Sequence, residues 1–142
     1  MPVRIDMYLL PDQPATDDAA LRLACQLVGK AWPQHRRISI CCPPPQQAQL
    51  DELLWQLPAG RFIAHGISGS DSAEQAPVQI STEPGAASML IQLHAEVPEA
   101  ARLDRYQRIL DVIGPGEPLR QHGRQRYRHY QQYTSDLHIH KL

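Results

Sequence analysis

The apolar residues in the first half of the chain alternate between the period of a strand and the period of a helix. Residues 3–10 (VRIDMYLL) combine partial alternation with β-branched side chains and end at the turn PDQP, so they predict a first strand. Residues 21–32 carry apolar side chains at steps of three and four, behind a pair of capping aspartates at 17–18, and predict an amphipathic helix. The same order returns as a strand over 36–42 and a helix over 46–57.

The middle of the chain predicts three more strands. Residues 61–65 (RFIAH) predict a short strand followed by the exposed loop GISGSDSAEQ, and residues 76–80 and 88–94 predict two further strands. The run 89–93 is almost entirely apolar, which is typical of a strand that is covered on both faces. We therefore expect this run at the centre of the sheet.

The last third of the chain predicts two helices around an ambiguous apolar run. Residues 98–103 predict a short helix, whereas the period of 108–113 (RILDVI) suits either a strand or a helix. A break at Gly114-Pro115-Gly116 precedes a final helix, with Glu117 as the capping residue and Pro118 in the first turn. The closing segment LHIHKL is expected to be a frayed or docked tail.

The order strand, helix, strand, helix predicts an α/β fold with a mostly parallel central sheet flanked by helices. A length of 142 residues suits one domain over 1–142, and 42% hydrophobic with 20% charged residues is ordinary for a globular protein. No window approaches the roughly 18 apolar residues of a membrane span, and MPVRIDMYLL lacks the features of a signal peptide. We therefore expect a cytoplasmic protein that does not bind a membrane.

Signatures of catalysis and of cofactor binding are missing from the sequence. The first strand ends in LLPDQP, which has neither G-x-G-x-x-G nor a Walker loop, and its prolines remove N–H donors that a phosphate would need. Gly66-Ile67-Ser68-Gly69 is one residue short of a nucleophile elbow and is interpreted as a flexible loop. His65 and His94 are solitary and are interpreted as structural histidines. We expect no catalytic residue and no cofactor.

Neither the cysteines nor the C-terminal histidines predict a metal site. Cys41 and Cys42 are neighbours on a predicted strand and point to opposite faces, so with Cys25 they are expected to be buried reduced thiols. The set Asp136, His138 and His140 has suitable ligand types, but a tail without a further ligand nearby is the favoured interpretation.

The final predicted helix carries a concentration of positive charge, with four arginines between Arg120 and Tyr130. On a helix Arg120, Arg124 and Arg128 share one face, with Tyr127 at its edge. From the residues alone a solvated helix face is favoured, and an acidic peptide or a nucleic acid is the alternative ligand. A pI of about 6.6 and a balance of 14 Lys+Arg against 15 Asp+Glu argue against strong attraction to a nucleic acid.

Two aromatic residues stand out beside the second predicted helix. The apolar stripe of that helix passes through Leu50, Leu54 and Leu57 and leaves Trp55 off its middle, while Phe62 follows the turn that begins at Pro58. Large exposed aromatics anchor protein partners because they bury much apolar area at low entropic cost. From the sequence alone they are equally well interpreted as core aromatics.

Several segments together resemble the chi subunits of bacterial DNA polymerase III. The most specific are LDELLW at 50–55, then Pro58, Phe62, His65 and Gly69, and APVQI at 76–80. MYLL near the start and RQRY at 124–127 also stand where that family has similar residues. The resemblance runs nearly from end to end of the chain.

The resemblance implies a Rossmann-like fold and a bridge that is not an enzyme. Chi proteins form a heterodimer with the psi subunit and through it hold the clamp loader, which assigns psi binding to Trp55, Phe62 and Pro58. Another surface grips the acidic, phenylalanine-ended tail of single-stranded DNA-binding protein. The residues that it implies for tail binding are Arg120, Arg124, Tyr127 and Arg128.

Other functions are alternatives to the adaptor. A helicase-like protein is a further possible partner for the psi-binding surface. A direct single-stranded nucleic-acid-binding protein would use the arginine helix itself, and a small Rossmann-like enzyme would bind a phosphorylated ligand at the first strand–helix turn. We expect no strong direct binding of nucleic acid and no metal.

Overall fold

A single sheet of seven parallel strands forms the centre of the computed structural model, which describes residues 3–13, 17–32, 34–57, 59–60, 62–69, 76–93, 103 and 105–142. The strands are β1 (Arg4–Leu9), β2 (Ile38–Cys41), β3 (His65–Ile67), β4 (Val78–Ser81), β5 (Met89–Gln92), β6 (Arg108–Ile113) and β7 (Leu137–Lys141). The long helices within these ranges are α1 (Ala19–Ala31), α2 (Pro44–Gln56) and α3 (Glu117–Gln131). The predicted α/β class with a parallel sheet and flanking helices is confirmed.

The strand order is β3-β4-β2-β5-β6-β1-β7. The strand β5 is the fourth of the seven, and all four of its residues are buried. The prediction that residues 89–93 occupy the centre of the sheet is therefore confirmed, because a strand between two helical layers has no solvent-facing side.

Helices cover both faces of the sheet and produce two cores. On one face α1 and α2 contribute Leu21, Val28 and Leu50 to a cluster with Ile40. On the other face, Tyr130 of α3 packs with residues that include the inward-facing apolar side chains of β1 and β6. The alternation of side chains along each strand divides its residues between the two cores.

The three cysteines are buried, and none of them forms a disulfide. Cys42 belongs to the core beneath α1 and α2, whereas Cys41 belongs to the opposite core, as predicted for neighbours on a strand. Burial raises the pKa of Cys25 to about 11 and the pKa of Cys42 to about 12, so both thiols are protonated at neutral pH.

The third strand differs from its prediction. The sequence indicated a strand over 61–65 and a loop from Gly66, but the strand runs from His65 to Ile67 and pairs in parallel with β4. Long-range pairing sets this register, since His65 aligns with Val78 and Ile67 with Ile80. The predicted helix over 98–103 falls almost entirely outside the described residues; of these only Leu103 is described, and it is buried.

The ambiguous run 108–113 is strand β6, which pairs with both β1 and β5. After it, Gly116 rather than Glu117 is the N-cap of α3, and Glu117 is the first helical residue. The cap has a φ of 97°, which favours glycine, so the prediction of Glu117 as the capping residue was wrong. Pro118 lies in the first turn, as predicted.

The C-terminal segment is an edge strand. Residues Leu137–Lys141 form β7, which pairs in parallel with β1 over Ile5 to Leu9. Of the two states expected for this tail, the docked one is observed, and it extends the sheet by one strand.

Candidate functional sites at the two ends of the sheet

Helix α3 lies close to the sheet because it has a glycine where it crosses β6. Gly123 is buried, and a Cβ at this position would lie 2.8 Å from Cδ1 and 2.9 Å from Cγ1 of Ile113. The helix nevertheless runs as one α-helix from Glu117 to Gln131. The glycine thus lowers the helix propensity of α3 but permits its close packing.

One of the four arginines of α3 points into the core. Arg126 is 3% exposed, and its Nε and Nη2 donate to the two carboxylate oxygens of Asp111 at 2.7 and 2.9 Å. The hydroxyl of Tyr130 donates to Asp111 Oδ2 at 2.7 Å, and burial together with the Asp111 charge raises the pKa of Tyr130. This arginine is therefore a structural partner of Asp111 and does not belong to the basic surface.

A groove of about 270 Å³ separates α3 from the strands β1, β6 and β7. Arg120, Arg124 and Tyr127 line it from the helix. The strands contribute Met7, Leu9, Ile113, Ile139 and Lys141. Three of the four residues predicted for tail binding are thus brought together over an apolar floor. We call this site the α3 groove.

The fourth predicted residue, Arg128, does not line the α3 groove. It lies one turn beyond Arg124 on the same helix, and its side chain is exposed. Arg128 is therefore placed where it would meet only a ligand that extends out of the groove along the helix.

Both groove arginines already contact carboxylates of the chain. Arg120 Nη2 lies 2.9 Å from Oδ1 of Asp12, and Arg124 forms an ion pair with Glu117. Both acids are well exposed, and exposed ion pairs contribute little to stability. A carboxylate of a ligand can therefore replace either internal partner at small cost.

Sequence reasoning missed the half of the groove that the strands supply. Ile139 and Lys141 belong to β7, and Met7 and Leu9 belong to β1, far away along the chain. The alternation of LHIHK was a usable signal for a strand. Only the pairing of β7 with β1, however, places these side chains opposite α3.

Two exposed aromatic rings form a patch beside β3, the edge strand on the opposite side of the sheet from β7. Trp55 at the end of α2 is 51% exposed and Phe62 before β3 is 75% exposed, with their ring centroids 5.4 Å apart. Their exposure shows that the alternative interpretation as core aromatics was wrong. Pro58, the third residue of the predicted psi-binding set, lies outside the described residues. We call Trp55 and Phe62 the aromatic patch.

His65 supports the aromatic patch from below. Its ring lies 4.5 Å from the ring of Trp55, and it is buried. The ring nitrogens Nδ1 and Nε2 lie 2.8 and 3.0 Å from the carbonyl oxygens of Ile63 and Asp51. His65 is thus a structural histidine, as predicted, whereas His94 lies outside the described residues.

The C-terminal acid and histidines do not gather around one point. His138 Nε2 lies 2.6 Å from Oδ1 of Asp136, while His140 Nε2 lies 2.9 Å from Oδ1 of buried Asp6. Within the described ranges, no three His, Cys, Asp or Glu side chains are arranged to hold a metal ion.

A second cavity, of about 300 Å³, lies at the carboxyl ends of β2, β5 and β6, where open α/β sheets bind ligands. Its lining includes Asp17, Pro43 and Leu119, and among the lining residues that the structure describes the cationic one is Arg126, which is bonded to Asp111. A phosphate near Arg126 would therefore meet a cation that is already paired with a buried carboxylate. Among the helices that the structure describes, none is long and apolar enough to cross a membrane.

The parallel sheet, the arginine-lined groove and the exposed aromatic pair define an α/β domain whose surface features suit the binding of other chains. Comparison with known families then gives its identity. The family described as "DNA polymerase III chi subunit, HolC" matches residues 2–138, and the chain belongs to this family. Chi is an accessory subunit of DNA polymerase III and not a catalytic one, so the chain has a role in DNA replication.

Curated relatives agree with this assignment. The DNA polymerase III subunit chi of Pseudomonas aeruginosa is 28% identical over 141 residues, which cover 98% of this chain and 96% of that protein. The subunit chi of Escherichia coli is 30% identical over 130 residues and covers 87% of each chain.

Solved structures of other proteins share the fold. A DEAD box protein from Methanococcus jannaschii matches with a TM-score of 0.60 at 12% identity, over 99% of this chain and 42% of that one. The C-terminal domain of the DEAD-box protein Dbp5 matches with a TM-score of 0.58 at 13% identity, over 99% and 90%. This chain spans about two fifths of the first of these proteins. At such identities the matches show the fold alone, and they confirm the expected Rossmann-like architecture.

Proposed function

We propose that this protein is a non-catalytic adaptor that links the clamp loader, through a psi subunit, to the acidic C-terminal tail of single-stranded DNA-binding protein. The tail binds in the α3 groove, and psi binds at the aromatic patch. A helicase-like protein that uses the same patch would compete with psi. The adaptor acts in the cytoplasm and needs no cofactor.

The α3 groove carries this proposal because it combines two chemistries that such a tail requires. A terminal phenylalanine would place its ring on the apolar floor formed by residues such as Leu9 and Ile139, at the edge of Tyr127. Its free carboxylate would meet Arg120 or Arg124, whose forked donors match a carboxylate. Acidic residues before the phenylalanine would continue towards Lys141 or Arg128.

The positions of the two surfaces also support an adaptor. The α3 groove includes residues of β1 and β7, whereas the aromatic patch lies beside β3, and β3 and β7 are the two edge strands. Six inter-strand steps of about 4.8 Å separate these edges by about 29 Å. Both partners therefore have room to bind the same molecule together.

Calorimetric titration with a short Asp-rich peptide that ends in Pro-Phe tests the first surface. We expect saturable binding of this peptide, and loss of binding when the terminal phenylalanine is removed. Arg124→Ala should weaken binding without unfolding the protein, while Arg22→Ala, an exposed arginine of α1, serves as the matched control. Equal binding of the two peptides, or no effect of Arg124→Ala, would reject the α3 groove as the tail site.

Titration with a purified psi subunit tests the second surface. Trp55→Ala and Phe62→Ala should each abolish most psi binding because they remove the exposed rings, and both variants should still bind the tail peptide. Tyr133→Ala removes an exposed aromatic ring outside the aromatic patch and should leave psi binding unchanged. Normal psi binding by both patch variants would show that psi binds elsewhere.

A further inference from the structure

The near-neutral net charge of the chain conceals an uneven distribution of its cations. The formal net charge is −1, yet a group of cationic side chains lies where the strands β1, β2, β5 and β6 begin. The N-terminal ends of these strands form one border of the sheet, which runs across the strands. We call this group the basic edge; it consists of Arg4, Lys30, Arg36, Arg37, Arg105 and Arg108. Among the described residues, the carboxylates of Asp6 and Asp136 lie with them, so the described part of this edge has an excess of positive charge.

The register of the sheet places cations of β1, β6 and the start of β2 along one row, with β5 between the last two. Arg4 aligns with Arg108, Arg108 with Met89, and Met89 with Ile38, which directly follows Arg37. The carbonyl of Arg37 accepts a hydrogen bond from the backbone N–H of Ser88 at 3.1 Å and thereby ties the start of β2 to the start of β5. This row crosses three inter-strand steps and is about 14 Å long.

Four cations of the basic edge are available to a ligand without displacing a carboxylate of the described residues. Lys30, Arg36, Arg37 and Arg105 are exposed, and none of the four forms an ion pair with a carboxylate of the described residues. Arg4 and Arg108 share the single carboxylate of Asp6, at 3.2 and 3.1 Å, with His140 as a third neighbour at 2.9 Å. Among the described residues, Asp6 and Asp136 are too few to balance this group of cations.

A partly buried histidine lies beside the basic edge. His35 donates to or accepts from Ser88 Oγ at 3.0 Å and lines a small polar pocket with Lys30 and Arg108. Burial, and after it the positive charge of Arg108, lower the pKa of His35. The histidine is therefore kept neutral beside the cations and does not add to their charge.

The surroundings of the basic edge favour a phosphate backbone over a protein or a lipid surface. The large hydrophobic side chains that the structure shows as exposed are Trp55, Phe62, Leu119, Tyr133, Ile139 and Leu142, and none belongs to this edge. Protein interfaces are poor in charge at their centre, and membrane surfaces need apolar side chains to insert. A row of about 14 Å is long enough for two or three neighbouring phosphates of one strand, because consecutive phosphates of a single strand lie roughly 6 to 7 Å apart.

We propose that the basic edge binds the phosphate backbone of single-stranded DNA without reading its bases. A single row of cations follows one backbone rather than the two of a duplex. The six residues of β1 separate this edge by about 20 Å from the end of the strand that contributes to the α3 groove. The DNA strand and a peptide in the groove therefore do not compete for the same surface.

Fluorescence anisotropy with a labelled oligothymidine tests this proposal in the full chain, over a series of salt concentrations. The wild type should bind with a Kd of about 1 to 100 µM, and the Kd should rise steeply with salt. Arg36→Gln/Arg37→Gln should weaken binding about 10-fold and reduce the slope of log Kd against log salt by about 1.4, because each lost phosphate contact removes about 0.7.

Matched controls separate a local site from a general effect of charge. Arg37→Gln should reduce the slope by about 0.7, whereas Arg22→Gln removes the same charge from α1 and should leave the slope unchanged. Thermal unfolding verifies that the variants are folded. The proposal is overturned if the wild type does not bind at low salt, if Arg22→Gln weakens binding as much as Arg37→Gln, or if a duplex of equal length binds more tightly than the single strand.

Discussion

Arg120 of α3 and Asp12, in the loop after β1, form an ion pair beside the α3 groove, with 2.9 Å between Nη2 and Oδ1. The same Nη2 lies 3.5 Å from the carbonyl oxygen of Leu10, and Nε of Arg120 is buried without a hydrogen-bond partner among the described residues. Arg120 is thus held in place by groups of its own chain. Any acidic ligand must compete with Asp12 for it.

Asp12→Asn should therefore tighten binding of the acidic, phenylalanine-ended peptide. An exposed ion pair is worth up to about 1 kcal/mol, so we expect an increase in affinity of about 2- to 5-fold by calorimetry. The control Asp17→Asn removes an exposed negative charge from the same chain region. If Asp12 acts through Arg120, its effect disappears in an Arg120→Ala background, whereas an equal gain from Asp17→Asn would indicate long-range charge alone.

Gly123→Ala should destabilise the protein although it improves the helix propensity of α3. The new Cβ would approach three carbons of Ile113 at 2.8 to 3.0 Å, and Ile113 is a stiff side chain on β6. Overpacking of this kind costs about 1 to 3 kcal/mol, more than the roughly 1 kcal/mol that alanine gains in a helix.

Urea unfolding measures the effect of Gly123→Ala, with Gln125→Ala as an exposed control on the same helix. The control should leave the free energy of unfolding within about 0.5 kcal/mol of the wild type. A Gly123→Ala variant that is as stable as the wild type would mean that α3 can shift away from the sheet, and its tail affinity would then be expected to change.

Asp111→Ala should be among the most destabilising single changes in the chain. It leaves the guanidinium of buried Arg126 and the hydroxyl of Tyr130 without their shared acceptor. Breaking a buried pair in this way costs about 3 to 5 kcal/mol, whereas Tyr130→Phe removes one hydrogen bond and should cost about 1 to 2 kcal/mol. Chemical unfolding of both variants checks the order, and a milder effect of Asp111→Ala than of Tyr130→Phe would contradict it.

Protonation of Asp6 should reduce the free energy of unfolding at acidic pH. Burial opposes ionisation of Asp6, but hydrogen bonds from Arg4 and His140 and the charge of Arg108 outweigh it and lower the pKa below its ordinary value of 3.8. Because the pKa is lower in the folded state, the ionised carboxylate stabilises the fold above pH 3.8. This contribution is lost as the pH falls through the lowered folded-state pKa.

The free energy of unfolding of wild type and Asp6→Asn, measured between neutral pH and pH 2, isolates this contribution. The difference between the two proteins should be constant near neutrality and should shrink below pH about 4. Asp12→Asn, an exposed acid, should change this pH dependence little. A difference that stays constant down to pH 2 would show that Asp6 has the same pKa in the folded and unfolded states.

The sequence by itself determined the class of the fold and most of its elements. The apolar periods of residues 3–10 and 21–32 and the continuous apolar run 89–93 report burial directly, because each side of a strand or helix must match its surroundings. Helical spacing alone also placed Arg120 and Arg124 on one face, since that relationship depends only on the period of the helix. The boundaries of helices and strands were predicted less accurately from the local sequence. For example, Gly116 rather than Glu117 caps α3.

Only the tertiary structure decided which charges face inwards and what completes the groove. Arg126 looks like its neighbours in the sequence, yet Asp111 from β6 draws it into the core. The LHIHK segment became strand β7 because β1 offered it an open edge, and that pairing supplies Ile139 and Lys141 to the site. The reason is physical: pairing between distant strands depends on which edges and cavities remain after the rest of the chain has packed, and no local pattern encodes it.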